Sequence, residues 1–155
     1  MDLAHTVVIS LVFPTFVYLL TPKLLRHFGH NELEYKQILI LACLVMFVSW
    51  YLPSPLIEGK DTSFTTHFLG GGIFCGLLWF YVKKTLRIRE VWYVEVATIY
   101  ALTCSLGVAN ELFELLMYKI HIMDTIADTS WDLLANTLGA FTFYVVYRLW
   151  RRLSV

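Results

Sequence analysis

VATIYALTCSLGVANELFELLMYKI, residues 96–120, is apolar over nearly its whole length, yet it carries Glu111 and Glu114 three positions apart. A run of this length is what a helix needs to cross a hydrocarbon core about 30 Å thick, at roughly 20 residues per crossing. Ionised carboxylates inside such a run are costly unless they are paired, solvated in a cavity or bound to a cation. The segment therefore sets both the fold class and the place to look for function.

The rest of the chain repeats the pattern. Its 155 residues are 58% hydrophobic, 16% aromatic and 15% charged, with a mean hydropathy of +0.65, more apolar than the surface of a soluble domain of this size tolerates. The expected fold is all-α, a polytopic membrane bundle of about five transmembrane helices in a single domain, residues 1–155. The expected spans are 3–20, 38–57, 64–82, 94–118 and 131–150, joined by connections too short to hold a soluble domain. The first is read as a retained span with Pro14 as a kink point, because no Lys or Arg precedes it and no small-residue cleavage pattern follows. Cys43, Cys75 and Cys104 fall in three different spans without paired spacing, so they read as small buried hydrophobes.

Charge fixes the expected orientation. Ten of the twelve basic residues lie in alternate connections: Lys23, Arg26 and Lys36; Lys83, Lys84, Arg87 and Arg89; and Arg148, Arg151 and Arg152. The positive-inside rule then puts the N-terminus outside and the C-terminus in the cytoplasm. Eight acids against Lys60 and Lys119 give the outer side a formal charge of −6, and ten bases against Glu32, Glu34, Glu90 and Glu95 give the inner side +6. The zero net charge hides a polarised molecule whose acidic end attracts cations. Localisation in a cell membrane, membrane lipid as a partner and no nucleic-acid partner are the corresponding expectations.

Asp124, Asp128, Asp132 and Asn136 recur every fourth residue, which stacks them on one face of a helix. His67, opening the third span, and Glu111 and Glu114, at the outer end of the fourth, should meet them at one level. Converging carboxylates need a shared proton, a divalent cation or a basic ligand. Oxygen ligands with one imidazole suit Mg²⁺, Mn²⁺ or Zn²⁺, with a bound water as a potential nucleophile. Metal binding is expected of Glu111, Asp128 and Asp132, proton transfer of Glu114 or His67, and ligand contact of Asn136, Asn110 and Asp61.

A structural alternative stands beside this one. Thr125-x-x-Asp128 and Thr129-x-x-Asp132 each match a capping box, which would make the two acids the start of a helix. Caps explain neither Asn136 nor the two glutamates. Asp124 and His121 are expected in the preceding loop. Elsewhere, Gly72 and Gly76 form a small-xxx-small pair that lets a neighbouring helix come close, and Trp50, Tyr51, Trp92, Tyr93, Trp131 and Trp150 sit at span ends as interfacial aromatics.

His67-Phe68, Asn110-Glu111-Leu-Phe-Glu114 and Asp128-Thr-x-Trp-Asp132-Leu-Leu-Ala-Asn136-Thr-Leu-Gly139-Ala140 resemble the VanZ-like membrane proteins and the related YjdF-like group. The similarity covers residues 61–140, about half the chain. VanZ-like chains commonly carry Glu followed by Gln and a basic residue before the last Asp motif, whereas this chain has Glu114 and Asp124 without a nearby Arg, which tilts it toward the YjdF-like pattern. The resemblance implies a small multispan protein of the cell envelope and no settled reaction. The expected function is a metal-dependent enzyme acting on a lipid or lipid-linked polar group at the outer side, with a transporter or ion-binding protein, or an accessory membrane subunit, as the alternatives.

Overall fold

A computed structural model describes residues 3–29, 34–57, 60–117 and 122–153, of which 3–6, 8, 9, 57, 60, 113–117 and 122–128 are described in backbone only. Five helices account for nearly all of it: α1 (Leu3–His27), α2 (Lys36–Ser49), α3 (Phe64–Thr85), α4 (Trp92–Met117) and α5 (Ile122–Leu153). Among the described residues the one strand pairing is a two-residue antiparallel hairpin, Leu56–Ile57 against Lys60–Asp61.

Two helical stretches, Phe64–Thr85 and Trp92–Leu112, are long and apolar enough to cross a membrane. The boundaries differ from expectation where local chemistry intervenes. α2 ends at Ser49 instead of reaching 57, because Pro53 and Pro55 lack N–H donors and push the residues before them out of helical geometry. Its 14 residues span roughly 21 Å at 1.5 Å per residue. α1 runs on to His27, through both Pro14 and Pro22. α5 starts at Ile122, nine residues before the expected span. Asp124 therefore lies in the helix and not in a loop, and Thr125 and Thr129 are too far inside it to be N-caps, which removes the capping-box reading of Asp128 and Asp132.

α3 is the central element. One side packs on α1 and α2 through Leu25, Leu39 and Tyr81 and through Ala42, Phe74 and Cys75. The other packs on α4 and α5 through Trp79, Ile99, Ala140, Phe143 and Tyr147. Around this core the outward faces remain apolar: Leu11, Val12, Phe16 and Leu19 on α1 and Leu138, Phe141, Val145 and Val146 on α5 are all exposed. The three cysteines are unpaired thiols, Cys75 buried and the other two half-buried.

After one short α-helical stretch, Phe64–Thr66, α3 leaves α geometry. Residues His67–Ile73, HFLGGGI, form a π-helical segment, a wider turn with i→i+5 bonds that occurs often at functional sites. This segment packs closely against α5. A Cβ on Gly72 would stand 2.6 Å from both the Ala140 nitrogen and Gly139 Cα, and one on Gly139 would stand 3.0 Å from Gly72 Cα. Backbone meets backbone there, so neither position has room for a side chain. The expected small-residue contact is present, with Gly76 seated against the Phe143 ring and with Gly139 as its unforeseen counterpart.

Candidate functional site

The π segment and its glycines bring the first residues of α3 onto the polar face of α5. His67 Nε2 lies 3.2 Å from Asp132 Oδ1, with the Asp132 side chain 2% exposed and that of His67 14%. A ring nitrogen that close to a carboxylate oxygen is favourable only when it carries the proton, which leaves Nδ1 as the basic nitrogen. The same Oδ1 accepts a hydrogen bond from Ser63 Oγ at 2.9 Å. That hydroxyl also reaches the Thr62 carbonyl at 2.7 Å, and its single proton serves one acceptor at a time. Because Ser63 bonds the carboxylate and not the imidazole, these three residues do not have the Ser–His–Asp order of a nucleophile relay.

Ser63 holds a left-handed backbone, φ +49°, uncommon for a residue with a side chain. Asp61 secures it: the Ser63 N–H donates to Asp61 Oδ1 at 2.9 Å, an Asx-type turn. The exposed Asp61 thus positions the connection into α3, while Thr62 Oγ1 donates to the Pro55 carbonyl at 2.8 Å and anchors that connection to the hairpin.

α4 contributes Glu111. Thr129 Oγ1 donates to Glu111 Oε2 at 2.7 Å, while Glu111 Oε1 is buried without a hydrogen-bond partner. One turn from Asp132, Asn136 is 4% exposed; its Oδ1 is likewise unpartnered and faces the bare Cα of Gly71, while its Nδ2 would be 3.0 Å from a Cβ on Gly107 of α4. Asn136 thus fills a space that only two glycines leave open. His67, Glu111, Asp132 and Asn136 occupy one end of the α3–α4–α5 bundle. No family model, no curated protein and no solved structure matches the chain.

The remaining expected residues fall differently. Asn110 is on an exposed face of α4. The side chains of Glu114 and Asp128 lie outside the described residues, on helical backbone of α4 and α5. Among the described residues no three His, Cys, Asp or Glu side chains converge as a metal site. Two unpartnered acceptors, Glu111 Oε1 and Asn136 Oδ1, are nonetheless the kind of oxygens that a hard cation or a donor-bearing ligand would satisfy.

Sequence reasoning passes over Ser63 and reads Thr129 only as a helix cap. Thr129 is three residues before Asp132, on the same helical face, and is found by extending the polar stripe one turn back. Ser63 carries no such signal, since it reaches Asp132 only through the turn that Asp61 holds.

The opposite end of the bundle holds a second polar centre. Glu95 of α4 is fully buried and ion-paired with Lys83 of α3, with Arg148 at 3.7 Å and Arg151 at 3.8 Å. Sixteen residues separate His67 from Lys83 and likewise Asp132 from Arg148, roughly 24 Å at helical rise. The acid-rich and base-rich ends inferred from charge thus correspond to two separate side-chain clusters.

Proposed function

We propose that the chain is a multi-pass cell-membrane protein, its five helices crossing with the N-terminus outside and the C-terminus cytoplasmic. In this reading the polar end of α3, α4 and α5 is an active site for a lipid or a lipid-linked polar group at the outer side. The apolar outward faces of α1 and α5, the two span-length helices and the separation of acidic and basic clusters support the membrane assignment. The VanZ-like and YjdF-like resemblance agrees with it.

The observation that carries the enzymatic reading is the His67–Asp132 pair. A buried carboxylate fixes one imidazole nitrogen, so the other is held in one direction as a proton acceptor, an arrangement suited to general-base chemistry. Glu111, with Asp128 and Asp132, is the proposed seat of a divalent cation, Mg²⁺, Mn²⁺ or Zn²⁺, which would supply Lewis acidity there; Glu111 Oε1, buried and unpartnered, fits that role. Asn136 orients the ligand and Glu114 is a second proton carrier. The test is a comparison of lipid turnover: the purified wild type, His67→Gln and Asp132→Asn are each incubated with an envelope lipid extract and followed by mass spectrometry. A lipid species consumed by the wild type and spared by both folded variants is the expected result; identical lipid profiles for all three would overturn the reading.

An ion-binding or transport function is the second reading, favoured by the same two unpartnered acceptors. Cation flux in proteoliposomes that disappears in Glu111→Gln, without any lipid turnover, would select it.

A further inference from the structure

At the base-rich end, α5 presents Tyr144, Arg148 and Arg152 at four-residue spacing with Val145 and Leu149 beside them, and Trp92 from the start of α4 completes the wall of a groove of about 450 Å³. Tyr144 Oη donates to the Trp92 carbonyl at 3.3 Å and ties the two helices together there. Trp92, Val145 and Leu149 are each half or more exposed, giving an apolar track that ends at two guanidinium groups.

The local charge does not balance. Glu95 is a single carboxylate, already paired with Lys83, and meets Arg148 and Arg151 only at 3.7 and 3.8 Å. Glu34, a further acid of this side, lies toward Arg87 instead, at 3.9 Å. Counting Glu90 as well, the cations Lys83, Lys84, Arg148, Arg151 and Arg152 outnumber the two acids. Arg152 enters no ion pair among the described residues. Excess guanidinium charge beside exposed aromatic and aliphatic surface calls for an anion with a hydrocarbon tail.

We propose that this groove binds an anionic phospholipid of the inner leaflet, its phosphate between Arg148 and Arg152 and its acyl chain along Val145, Leu149 and Trp92. The site is separate from the His67–Asp132 centre. It rests on the membrane assignment but not on the enzymatic reading.

The experiment uses the full chain reconstituted with brominated lipids, whose quenching of tryptophan fluorescence reports occupancy; Trp92→Phe identifies the signal from the groove. Brominated phosphatidylglycerol is compared with brominated phosphatidylcholine for the wild type, Arg148→Gln and Arg152→Gln, with inorganic phosphate as a competitor. The wild type should prefer phosphatidylglycerol, and each variant should lose about fivefold of that preference, the weight of one basic residue at an anionic surface. Since Arg148 also faces Glu95, the exposed Arg152 decides the matter if Arg148→Gln does not fold. Equal affinity for the two lipids, or a preference unchanged in Arg152→Gln, overturns the proposal. Displacement by inorganic phosphate as effective as by the lipid overturns it too, in favour of a free-anion site. A wild type that takes up phosphatidylcholine without preferring phosphatidylglycerol loses only the groove, whereas one that takes up neither loses the membrane assignment as well.

Discussion

Gly72→Ala adds one methyl group where the structure has no space for it. The new Cβ would stand 2.6 Å from Gly139 Cα and from the Ala140 nitrogen, whereas carbon atoms in contact rest about 3.5–4.0 Å apart. All three nearest neighbours belong to the α5 backbone, so no side chain can turn away and the helices must separate by roughly 1 Å. Overpacking of this kind costs about 1–3 kcal/mol, on the order of 2–12 °C in Tm for a chain of this length. Gly107→Ala is the milder comparison: its Cβ meets side-chain atoms of Asn136 and Leu133, at 3.0 and 3.5 Å, so a shift of a few tenths of an ångström relieves it where Gly72→Ala must move backbone. Leu138→Ala, on the exposed face of α5, controls for loss of apolar surface. Thermal unfolding of the three purified variants, read by tryptophan fluorescence, should rank Gly72→Ala lowest. A Gly72→Ala protein melting with the wild type would refute the close approach of the π segment to α5. Gly72→Leu, larger still, should lower folded yield outright, while Leu77 and Leu78, half-buried against the core clusters, are unsuitable as lipid-facing controls.

Further outcomes are expected. Glu95→Gln strands the buried Lys83 ammonium, and breaking a buried pair costs about 3–5 kcal/mol, so chemical denaturation should find it much less stable than Arg87→Gln, whose pair with Glu34 is solvent-exposed. Glu111→Gln should weaken divalent-cation binding by about 10 to 100-fold, measured by calorimetry on the purified protein; unchanged binding would remove Glu111 from the ligand set. Comparing Asp128→Asn with Asp128→Ala tells a charge requirement from a hydrogen-bonding one, since the amide keeps an acceptor but loses the charge: cation content should fall in both. A reporter fused after Arg152 should be cytoplasmic and a thiol introduced at Gly59 should label from outside; the opposite pattern would place the His67–Asp132 centre on the inner side.

The polar end of the bundle is legible in the sequence because its residues obey helical spacing. Asp132 and Asn136 are four apart on α5, and Glu111 interrupts an apolar run, so a single polar face follows from periodicity alone. His67 joins them through the short connections between spans. What the spacing does not reveal is the π segment, since seven residues containing three adjacent glycines are equally compatible with an α-helix, and its packing against Gly139 and Asn136 is a tertiary contact. The start of α5 is also hidden: Asp124 reads as a loop residue because charge interrupts the apolar run, yet the backbone there is already helical. Ser63 depends on a left-handed turn, and Glu95 on cations from two other helices. Both are tertiary facts with no periodic signature.

The pairing of His67 with Asp132 underlies the proposed chemistry, and its most direct test is the tautomer of that one imidazole. In the wild type, ¹⁵N-histidine NMR of the reconstituted protein, with His67→Gln to assign the signal, should show His67 protonated at Nε2 and unprotonated at Nδ1. Asp132→Asn should weaken that bias, because the amide oxygen can still accept from Nε2 but no longer carries the charge that fixes the proton. A His67 signal divided between the two tautomers in the wild type, and unchanged by Asp132→Asn, would contradict the pairing and with it the general-base role.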